Sequence, residues 1–180
     1  MFTQRLRKQT ENMGLFFCSK NRTLFLLLHE YIFSNRWQTN VMDGGAEMSL
    51  RVIILGAGYA GVEAALTLHK KKKKGEDFEI CLIDKNPYHT LLTELHEVAG
   101  NRIEEDGIIV PLYDIFRYTG VRIIQDDIRS FDLEHKKIRS ERCEYAYDYL
   151  ILAAGSNPNF YDIPGMKENS FPLWSFDDAV

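Results

Sequence analysis

The sequence contains few cysteines. Cys18, Cys81 and Cys143 are the only three in 180 residues, they are widely spaced, and no C-x-x-C pair occurs. A cysteine pattern of this kind predicts no disulfide framework and is typical of a reducing, cytoplasmic setting. Cys81 lies within an apolar run, where a thiol packs as a small hydrophobic group.

Long apolar runs and an excess of positive charge are also missing. No apolar run approaches the roughly 20 residues that a helix needs to span a bilayer. The formal net charge is −4, which gives no indication of a nucleic-acid partner. With 45% hydrophobic and 12% aromatic residues, a chain of this length can bury one good core, but not two full dinucleotide-binding domains.

The stretch 51–61 carries the most information. Its four consecutive apolar residues, 52–55, are typical of a strand that is buried on both faces in a parallel sheet. Gly56, Gly58 and Gly61 follow at the G-x-G-x-x-G spacing. In this motif the first glycine permits a tight turn, and the second lets a pyrophosphate approach the backbone. The third lets the next helix pack closely on the strand.

The residues that follow give the glycine triplet its context. Residues 60–74 have a helix-forming composition, and Gly75 is placed to end that helix. Its unpaired N–H groups and positive dipole end would point at the phosphates. A second apolar run, 78–83, ends on Asp84, about 20 residues beyond the last glycine, where a carboxylate can accept hydrogen bonds from both hydroxyls of an adenosine ribose. The sequence therefore predicts a dinucleotide-binding βαβ unit, and the alternative is an ordinary βαβ unit with a surface acid.

Residues 1–47 differ in character from the rest, and three interpretations stay open. Their apolar runs are shorter than the core of a secretory signal, and a small-residue cleavage site is lacking. A mitochondrial presequence is the second interpretation, and Glu11 and Glu30 count against it. We favour the third, in which Met48 is the natural start. Residues 1–47 are then an extension, disordered or partly helical, with no role in the fold.

A long excursion, 85–100, separates the second parallel strand from the third. This is unusual for a plain NAD domain, and it is the place where FAD proteins of the two-dinucleotide type insert the segment that lines the flavin. A short helix is predicted near its end. His89, Glu94, His96 and Glu97 could be taken for a metal cluster, but no H-E-x-x-H spacing occurs and no cysteine is close, so we expect no metal.

The remaining elements complete the expected fold. The fold class is α/β, a sandwich with a mainly parallel sheet, helices on both faces, and a three-stranded antiparallel crossover on one side. The last strand ends in small residues, as it must if a cofactor comes close. The predicted elements are a helix at 110–117 with proline in its first turn, a strand at 121–125, a three-stranded meander at 128–133, 136–140 and 143–147, and a buried strand at 150–155.

Four segments carry a resemblance to a known family. They are Gly-Ala-Gly-Tyr-Ala-Gly at 56–61, Ile-Asp-Lys-Asn-Pro-Tyr-His at 83–89, Leu-His-Glu-Val-Ala-Gly at 95–100 and Tyr-Asp-Tyr-Leu-Ile-Leu-Ala-Ala-Gly-Ser at 147–156. Together they resemble the type II NADH dehydrogenases. These are single-chain, FAD-containing NADH:quinone oxidoreductases of the pyridine-nucleotide disulphide oxidoreductase superfamily. The second and third segments look most like the versions in Gram-positive bacteria. The resemblance runs from about Leu50 to the end and implies a Rossmann-like FAD/NAD(P)-binding sandwich.

The resemblance also implies how the chain would work. In the family NADH passes a hydride to the flavin, and the reduced flavin passes electrons to a quinone, so no side chain of this chain need be catalytic. The implied contacts are the FAD pyrophosphate with Gly56, Gly58, Ala60 and Gly61, the adenosine ribose with Asp84 and Lys85, adenine with the backbone of Ile128, the flavin side with His89 and Thr93, and closure over the cofactor by Ala153, Ala154 and Gly155. For His89 and Thr93 the alternative is packing of the inserted helix.

Two features depart from the family's pattern. Ala154 stands where threonine is common in the superfamily, so a hydroxyl contact is lost. The family's NADH-binding domain and its membrane-attaching C-terminal region have no counterpart here. We therefore expect residues 48–180 to be an incomplete FAD-binding domain that lacks efficient NADH oxidation and self-associates through exposed apolar surface. The intact family implies a peripheral position on the inner, cytoplasmic face of the cell membrane.

Other function classes can be weighed against particular residues. Within the superfamily, a ferredoxin or rubredoxin reductase or an apoptosis-inducing-factor-like protein stays open. A disulphide reductase is disfavoured because no C-x-x-x-x-C pair follows the second strand. A short-chain dehydrogenase would need Tyr-x-x-x-Lys, which does not occur, and a methyltransferase would usually have an acid where Leu55 precedes the first glycine. A non-catalytic dinucleotide-binding remnant is the last alternative.

Overall fold

The computed structural model describes residues 15–17, 49–72 and 76–180. Its helices and strands are, in chain order, β1 (Leu15–Phe17), β2 (Leu50–Leu55), α1 (Tyr59–Lys71), β3 (Phe78–Asp84), β4 (Tyr88–Thr90), α2 (Leu95–Ala99), β5 (Ile109–Pro111), α3 (Leu112–Phe116), β6 (Val121–Gln125), β7 (Ile128–Asp132), β8 (Lys137–Ser140), β9 (Glu144–Ala146) and β10 (Tyr149–Leu152), with short 3₁₀ turns at Leu92–Glu94 and Glu105–Ile108.

A five-stranded parallel sheet forms the centre of the fold. Its strand order is β1-β10-β2-β3-β6, which confirms the predicted α/β class. β2 lies between two neighbours, with Leu55 opposite Leu152 of β10 and opposite Ile83 of β3. Because both faces of such a central strand are covered, residues 52–55 are apolar throughout instead of alternating with polar residues.

The two faces of the sheet are covered by different elements. Val52 and Ile54 belong to a cluster formed with α1 and α3, whereas Ile53 and Leu55 belong to a cluster formed with the antiparallel meander β7-β8-β9. The sequence predicts helices on both faces. It also predicts a three-stranded antiparallel crossover on one side, which is confirmed. In the described part of the chain this meander covers the second face, and the core cluster there contains no helical residue. The side chains contributed are Ala64, Ala65, Leu68, Leu112 and Phe116 on the helix face, and Ile138, Tyr145 and Tyr147 on the meander face.

The excursion after β3 forms a small subdomain. β4 pairs with β5 in antiparallel orientation, and α2 packs its buried residues with Ile108 and, from the end of the chain, Ala179. The predicted helix at 110–117 is wrong at its start, since it begins at Leu112 and Val110 lies in β5. The physical reason is Pro111, whose ring disfavours helical geometry in the residue before it.

Most other predicted elements are confirmed. The helix after the glycines, the strand ending on Asp84, the strand at 121–125 and all three strands of the meander are present. The final strand is shorter than predicted, because β10 ends at Leu152 and the small residues after it lie in a loop. Gly75 and Met48 lie outside the described residues, so the predictions that rest on them stay predictions.

Three residues of the predicted extension belong to the sheet. β1 pairs in parallel with β10, with Leu15 opposite Leu150. This differs from the expectation that residues 1–47 take no part in the fold. The reason is that the outer edge of β10 presents unpaired N–H and C=O groups, which a passing segment of the chain can bond. The proposed boundary between residues 47 and 48 stays a prediction.

The described helices are all too short or too polar to cross a lipid bilayer. α1, at 13 residues, is well below the length that a transmembrane helix needs.

The packing of the meander predicts a large effect of one substitution. Ile138 lies in β8 and is 0% exposed, so Ile138→Ala should lower the free energy of unfolding by about 2–4 kcal/mol. Ile103→Ala is the matched control because Ile103 is 38% exposed, and there we expect a change below about 1 kcal/mol. Urea denaturation followed by circular dichroism measures both. Equal changes in the two variants would mean that the meander does not contribute to the core.

Candidate dinucleotide-binding site

The site lies where the strand order reverses direction. From β2 the chain moves to β3 and β6 on one side and later returns to β10 on the other side. In open α/β sheets, ligands bind at this switch point, beyond the carboxyl ends of the strands. The loop after β2 is held there because Gly56 N–H donates to the carbonyl of Ile83 at 2.8 Å. Nearby, Ala153 N–H donates to the carbonyl of Leu55 at 2.8 Å.

Two of the three glycines, Gly56 and Gly61, have the structural roles that the motif predicts, and the third lies in open space. Gly56 has φ +103°, and a Cβ there would overlap the carbonyl of Ala153. A Cβ on Gly61 would overlap the carbonyl oxygen of Gly56, so only glycine lets α1 approach the turn this closely. A Cβ on Gly58 would have no atom within 4 Å, and this is the side on which a ligand can approach the backbone.

The amino end of α1 lies at the glycine turn. Gly58 is the N-cap residue, no side chain caps the helix, and no acidic residue occurs in the first turn. The α1 macrodipole therefore presents partial positive charge beside the open position of Gly58. Ala60, which the resemblance implies contacts the pyrophosphate, lies in this first turn.

Asp84 is close to the glycine turn and already makes two hydrogen bonds. Its Oδ2 accepts the N–H of Ala57 at 2.6 Å, and its Oδ1 accepts the N–H of Asn86 at 2.8 Å. Each carboxylate oxygen can accept a second hydrogen bond, so the group keeps the capacity to accept ribose hydroxyls. The sequence predicts the ribose role, but the bond to the glycine turn is found only in the structure.

The inserted segment reaches the same turn from the other side. The ring of His89 is buried, and its Nδ1 lies 2.8 Å from the carbonyl oxygen of Ala57. The Tyr59 ring meets the His89 ring edge-on, with the ring centroids 4.7 Å apart. The Tyr59 hydroxyl lies 3.1 Å from Thr93 Oγ1. The sequence analysis did not name Tyr59 as a site residue. The signal that could have found it is an aromatic residue within the glycine motif, next to the start of the predicted helix.

A second part of the site is a cleft of about 370 Å³ beside the ends of β3 and β6. Asp126, one of its lining residues, accepts a hydrogen bond from the Tyr145 hydroxyl at 2.6 Å. Hydrogen bonds from Ser140 and Tyr145 lower the pKa of Asp126, while burial and the bond to Asp126 raise the pKa of Tyr145. The cleft is lined by Lys85, Gln125, Asp126, Asp127, Arg129, Glu141 and Arg142.

The predicted site residues fall into three groups. The three glycines, Asp84, His89 and Thr93 are connected through Ala57 and Tyr59, and Ala153 and Ala154 pack on the glycine turn. Lys85 lines the neighbouring cleft. Ile128 begins β7 and is half-buried against the core cluster on the meander face of the sheet. Gly155 has φ +78° with open space around it, in the exposed loop after β10.

The four polar residues that could be taken for a metal cluster do not all lie together in the structure. His89 is bonded to Ala57 and takes no part in it. The ligand atoms of Glu94, His96 and Glu97 lie within 4.8 Å of one another, and Glu97 pairs with His96 at 3.0 Å and with Arg102 at 2.8 Å. Salt bridges of this kind are common on protein surfaces without a bound ion.

Comparisons with known sequences place the chain in a family. A family model described as pyridine nucleotide-disulphide oxidoreductase matches residues 50–179. The type II NADH:quinone oxidoreductase of Staphylococcus haemolyticus (strain JCSC1435) is 31% identical over 129 residues, covering 72% of this chain and 32% of that protein. The Staphylococcus aureus protein (strain NCTC 8325 / PS 47) is 32% identical over 123 residues, covering 68% and 30%. The chain thus spans about a third of the length of these curated relatives.

Solved structures are similar in fold. NADH:rubredoxin oxidoreductase from Clostridium acetobutylicum is 27% identical with a TM-score of 0.57, covering 73% of this chain and 34% of that one. The sulfide:quinone oxidoreductase from Aquifex aeolicus is 24% identical with a TM-score of 0.64, covering 73% and 30%. The second likeness supports the fold alone.

The glycine geometry predicts opposite outcomes for two equal substitutions. Gly61→Ala should lower the free energy of unfolding by about 2–3 kcal/mol, because the new Cβ meets backbone that must shift. Gly58→Ala should cost at most about 1 kcal/mol, since the position is open and only an N-cap preference is lost. Urea unfolding of the cofactor-free chain measures the difference. A larger loss for Gly58→Ala would contradict the assigned geometry.

Proposed function

The chain belongs to the pyridine nucleotide-disulphide oxidoreductase family, and we propose that it is the FAD-binding part of an enzyme that passes electrons from NADH through the flavin to a quinone. One observation carries the proposal. The open position at Gly58 faces the uncapped amino end of α1 at the switch point of the sheet. The names of the staphylococcal relatives support NADH and quinone as the two substrates.

The residues present fit FAD. Gly58 and the first turn of α1 would receive the pyrophosphate, whose negative charge suits the helix dipole. Asp84 would accept the ribose hydroxyls with its remaining lone pairs. Lys85 and the backbone at Ile128 border the cleft that would hold adenine, and Ala153 to Gly155 would close over the cofactor without bulky side chains. Bound FAD would supply the hydride- and electron-transfer chemistry, while the protein supplies binding and orientation.

NADH would require a separate site. The sequence contains a single G-x-G-x-x-G motif, and the proposal assigns it to FAD. We therefore infer that residues 48–180 form one FAD-binding unit, and that hydride transfer from NADH to its flavin is inefficient in this chain.

A second electron acceptor is supported by a specific likeness. The Clostridium acetobutylicum structure, at 27% identity, is named as an NADH:rubredoxin oxidoreductase. A rubredoxin would then replace the quinone, with the same FAD site. The quinone is favoured because the curated relatives are 31–32% identical. For the intact enzyme we infer a peripheral position at the inner face of a bacterial cell membrane.

The first test is the absorbance spectrum of the purified chain after incubation with FAD and gel filtration. Retained flavin bands support the proposal, and a chain that never retains flavin contradicts it. Adding NADH then tests hydride transfer, because reduction bleaches the flavin. Rapid, complete bleaching would contradict the inference that this chain transfers hydride inefficiently.

The position of Gly58 predicts a specific loss of FAD. Gly58→Val should weaken FAD binding at least about a hundredfold, because the side chain fills the space into which the pyrophosphate would come. Gly120→Val is the matched control, since a Cβ at Gly120 also meets nothing within 4 Å but lies away from the glycine turn. Flavin fluorescence titration measures both dissociation constants. Unchanged affinity in Gly58→Val would defeat the assignment of the pyrophosphate site.

We also infer self-association through an exposed apolar surface, the tail surface, near the end of the chain. Phe171 is 101% exposed, and its neighbours are also open to solvent. Exposed patches of this kind favour association. The tail surface consists of Tyr161, Ile163, Phe171, Leu173 and Trp174.

Sedimentation velocity tests this inference. The wild-type chain should form oligomers, and the double variant Phe171→Ser/Leu173→Ser should shift toward monomer. Tyr118→Ser is the control, because Tyr118 is 89% exposed but lies after α3, outside the tail surface. A monodisperse wild-type monomer would contradict the proposal.

A further inference from the structure

Ala57, between the first two glycines of the motif, is held from both sides by side chains outside the motif. Asp84 Oδ2, at the end of β3, accepts its N–H at 2.6 Å. His89 Nδ1, in β4, lies 2.8 Å from its carbonyl oxygen. Backbone groups in a loop of this kind are commonly bonded by water, so two side-chain partners on one loop residue are a specific arrangement.

The His89 bond defines which ring nitrogen carries a proton. A carbonyl oxygen can only accept, so Nδ1 must be the donor. The other nitrogen, Nε2, is then unprotonated in the neutral ring. His89 is 5% exposed, so this hydrogen bond forms away from solvent, where losing it would leave the carbonyl of Ala57 unsatisfied.

This bond also orients the next N–H group of the loop. The carbonyl of Ala57 and the N–H of Gly58 belong to one peptide group, and the described chain contains no cis peptide bond. In a trans peptide the two groups point in opposite directions. Holding the carbonyl toward His89 therefore turns the Gly58 N–H away from the inserted segment. A rotation of this peptide would instead present the negative end of the carbonyl dipole to an anion in the site.

A second contact keeps the His89 ring in place. The Tyr59 ring meets it edge-on at 4.7 Å between centroids, and the Tyr59 hydroxyl reaches Thr93 Oγ1 at 3.1 Å. Tyr59 begins α1, and Thr93 lies in the inserted segment. The turn, the helix and the insertion are thus joined at one point.

We propose that His89 is a positioning residue: its Nδ1–H sets the orientation of the Ala57–Gly58 peptide so that the loop is ready for the pyrophosphate of a dinucleotide before the cofactor binds. The inference rests on the proposed FAD site. It gives His89 a role different from the flavin contact that the resemblance implies. Asp84 assists from the other side by holding the Ala57 N–H.

Three substitutions at His89 separate the effect of its hydrogen bond from the effect of its ring packing. His89→Asn places an amide donor near the position of Nδ1, whereas His89→Gln places it near the position of Nε2. His89→Phe keeps a ring for Tyr59 but has no donor. His96→Phe is the matched control, because His96 lies exposed in the same inserted segment.

The first measurement is hydrogen exchange at the backbone amide of Ala57, which donates to Asp84, in the cofactor-free chain. Exchange in His89→Phe and His89→Gln should be about fivefold faster than in the wild type, the size expected for one neutral hydrogen bond. His89→Asn and His96→Phe should exchange at the wild-type rate. Equal exchange rates in all variants would overturn the inference. If His89→Phe fails to fold, the comparison uses the other two variants, and equal exchange rates in His89→Asn and His89→Gln would overturn it.

The second measurement is FAD affinity by flavin fluorescence titration. The dissociation constant should rise about tenfold or more in His89→Phe and His89→Gln, and His89→Asn should restore most of the affinity. Unchanged affinity in His89→Phe would overturn the positioning role. A wild-type chain that binds no FAD would defeat the proposed function, and the hydrogen-exchange comparison would still report separately whether His89 holds the loop.

Discussion

The close approach of three backbone segments at the glycine turn is the constraint on which the rest of the site depends. Gly56 lies against Ala153, and Gly61 lies against the carbonyl oxygen of Gly56, with no room for a Cβ at either glycine. Through these contacts β2, α1 and the end of β10 meet at one place. The loop that follows β10 must therefore begin with small residues, and α1 must begin directly after the turn. Gly58 lies between these tightly packed positions with open space beside it, and no side chain caps the amino end of α1.

Rigidity of the turn comes largely from outside the motif. A helix end favours an anion only when its N–H groups already point toward it, because reorienting them on binding would consume part of the interaction energy. Asp84 and His89 hydrogen-bond both polar groups of Ala57, so the loop does not have to reorient when an anion binds. The inserted segment, which is long for a connection between two parallel strands, thereby acquires a structural role at the phosphate end of the site. Its packing against Ile108 and Ala179 makes that role depend on the end of the chain as well.

Local patterns predicted much of this architecture. The run 52–55, the glycine spacing and the apolar run ending on Asp84 were sufficient to predict the parallel βαβ unit, because each is a pattern within a short stretch of sequence. The pairing of β4 with β5 was not predictable, since strands of three residues carry no hydrophobic period. For the same reason nothing in the sequence indicated the bond from His89 to Ala57, 32 residues away. The antiparallel meander on one side of the sheet was predicted correctly, whereas the helices expected on that same face were not found in the described residues, because alternating residues in short strands do not reveal what else packs beside them.

The two hydrogen bonds to Ala57 have different consequences for function. Asp84 combines a loop-holding bond with the capacity to bind ribose, so any change at this carboxylate alters two steps of cofactor binding together. His89 contacts the turn through one nitrogen and Tyr59 through its ring. Its contribution is therefore confined to the shape of the loop. If the loop is preorganised in this way, a family whose chemistry belongs to the cofactor needs few reactive side chains at this site, which agrees with the scarcity of catalytic motifs in the sequence.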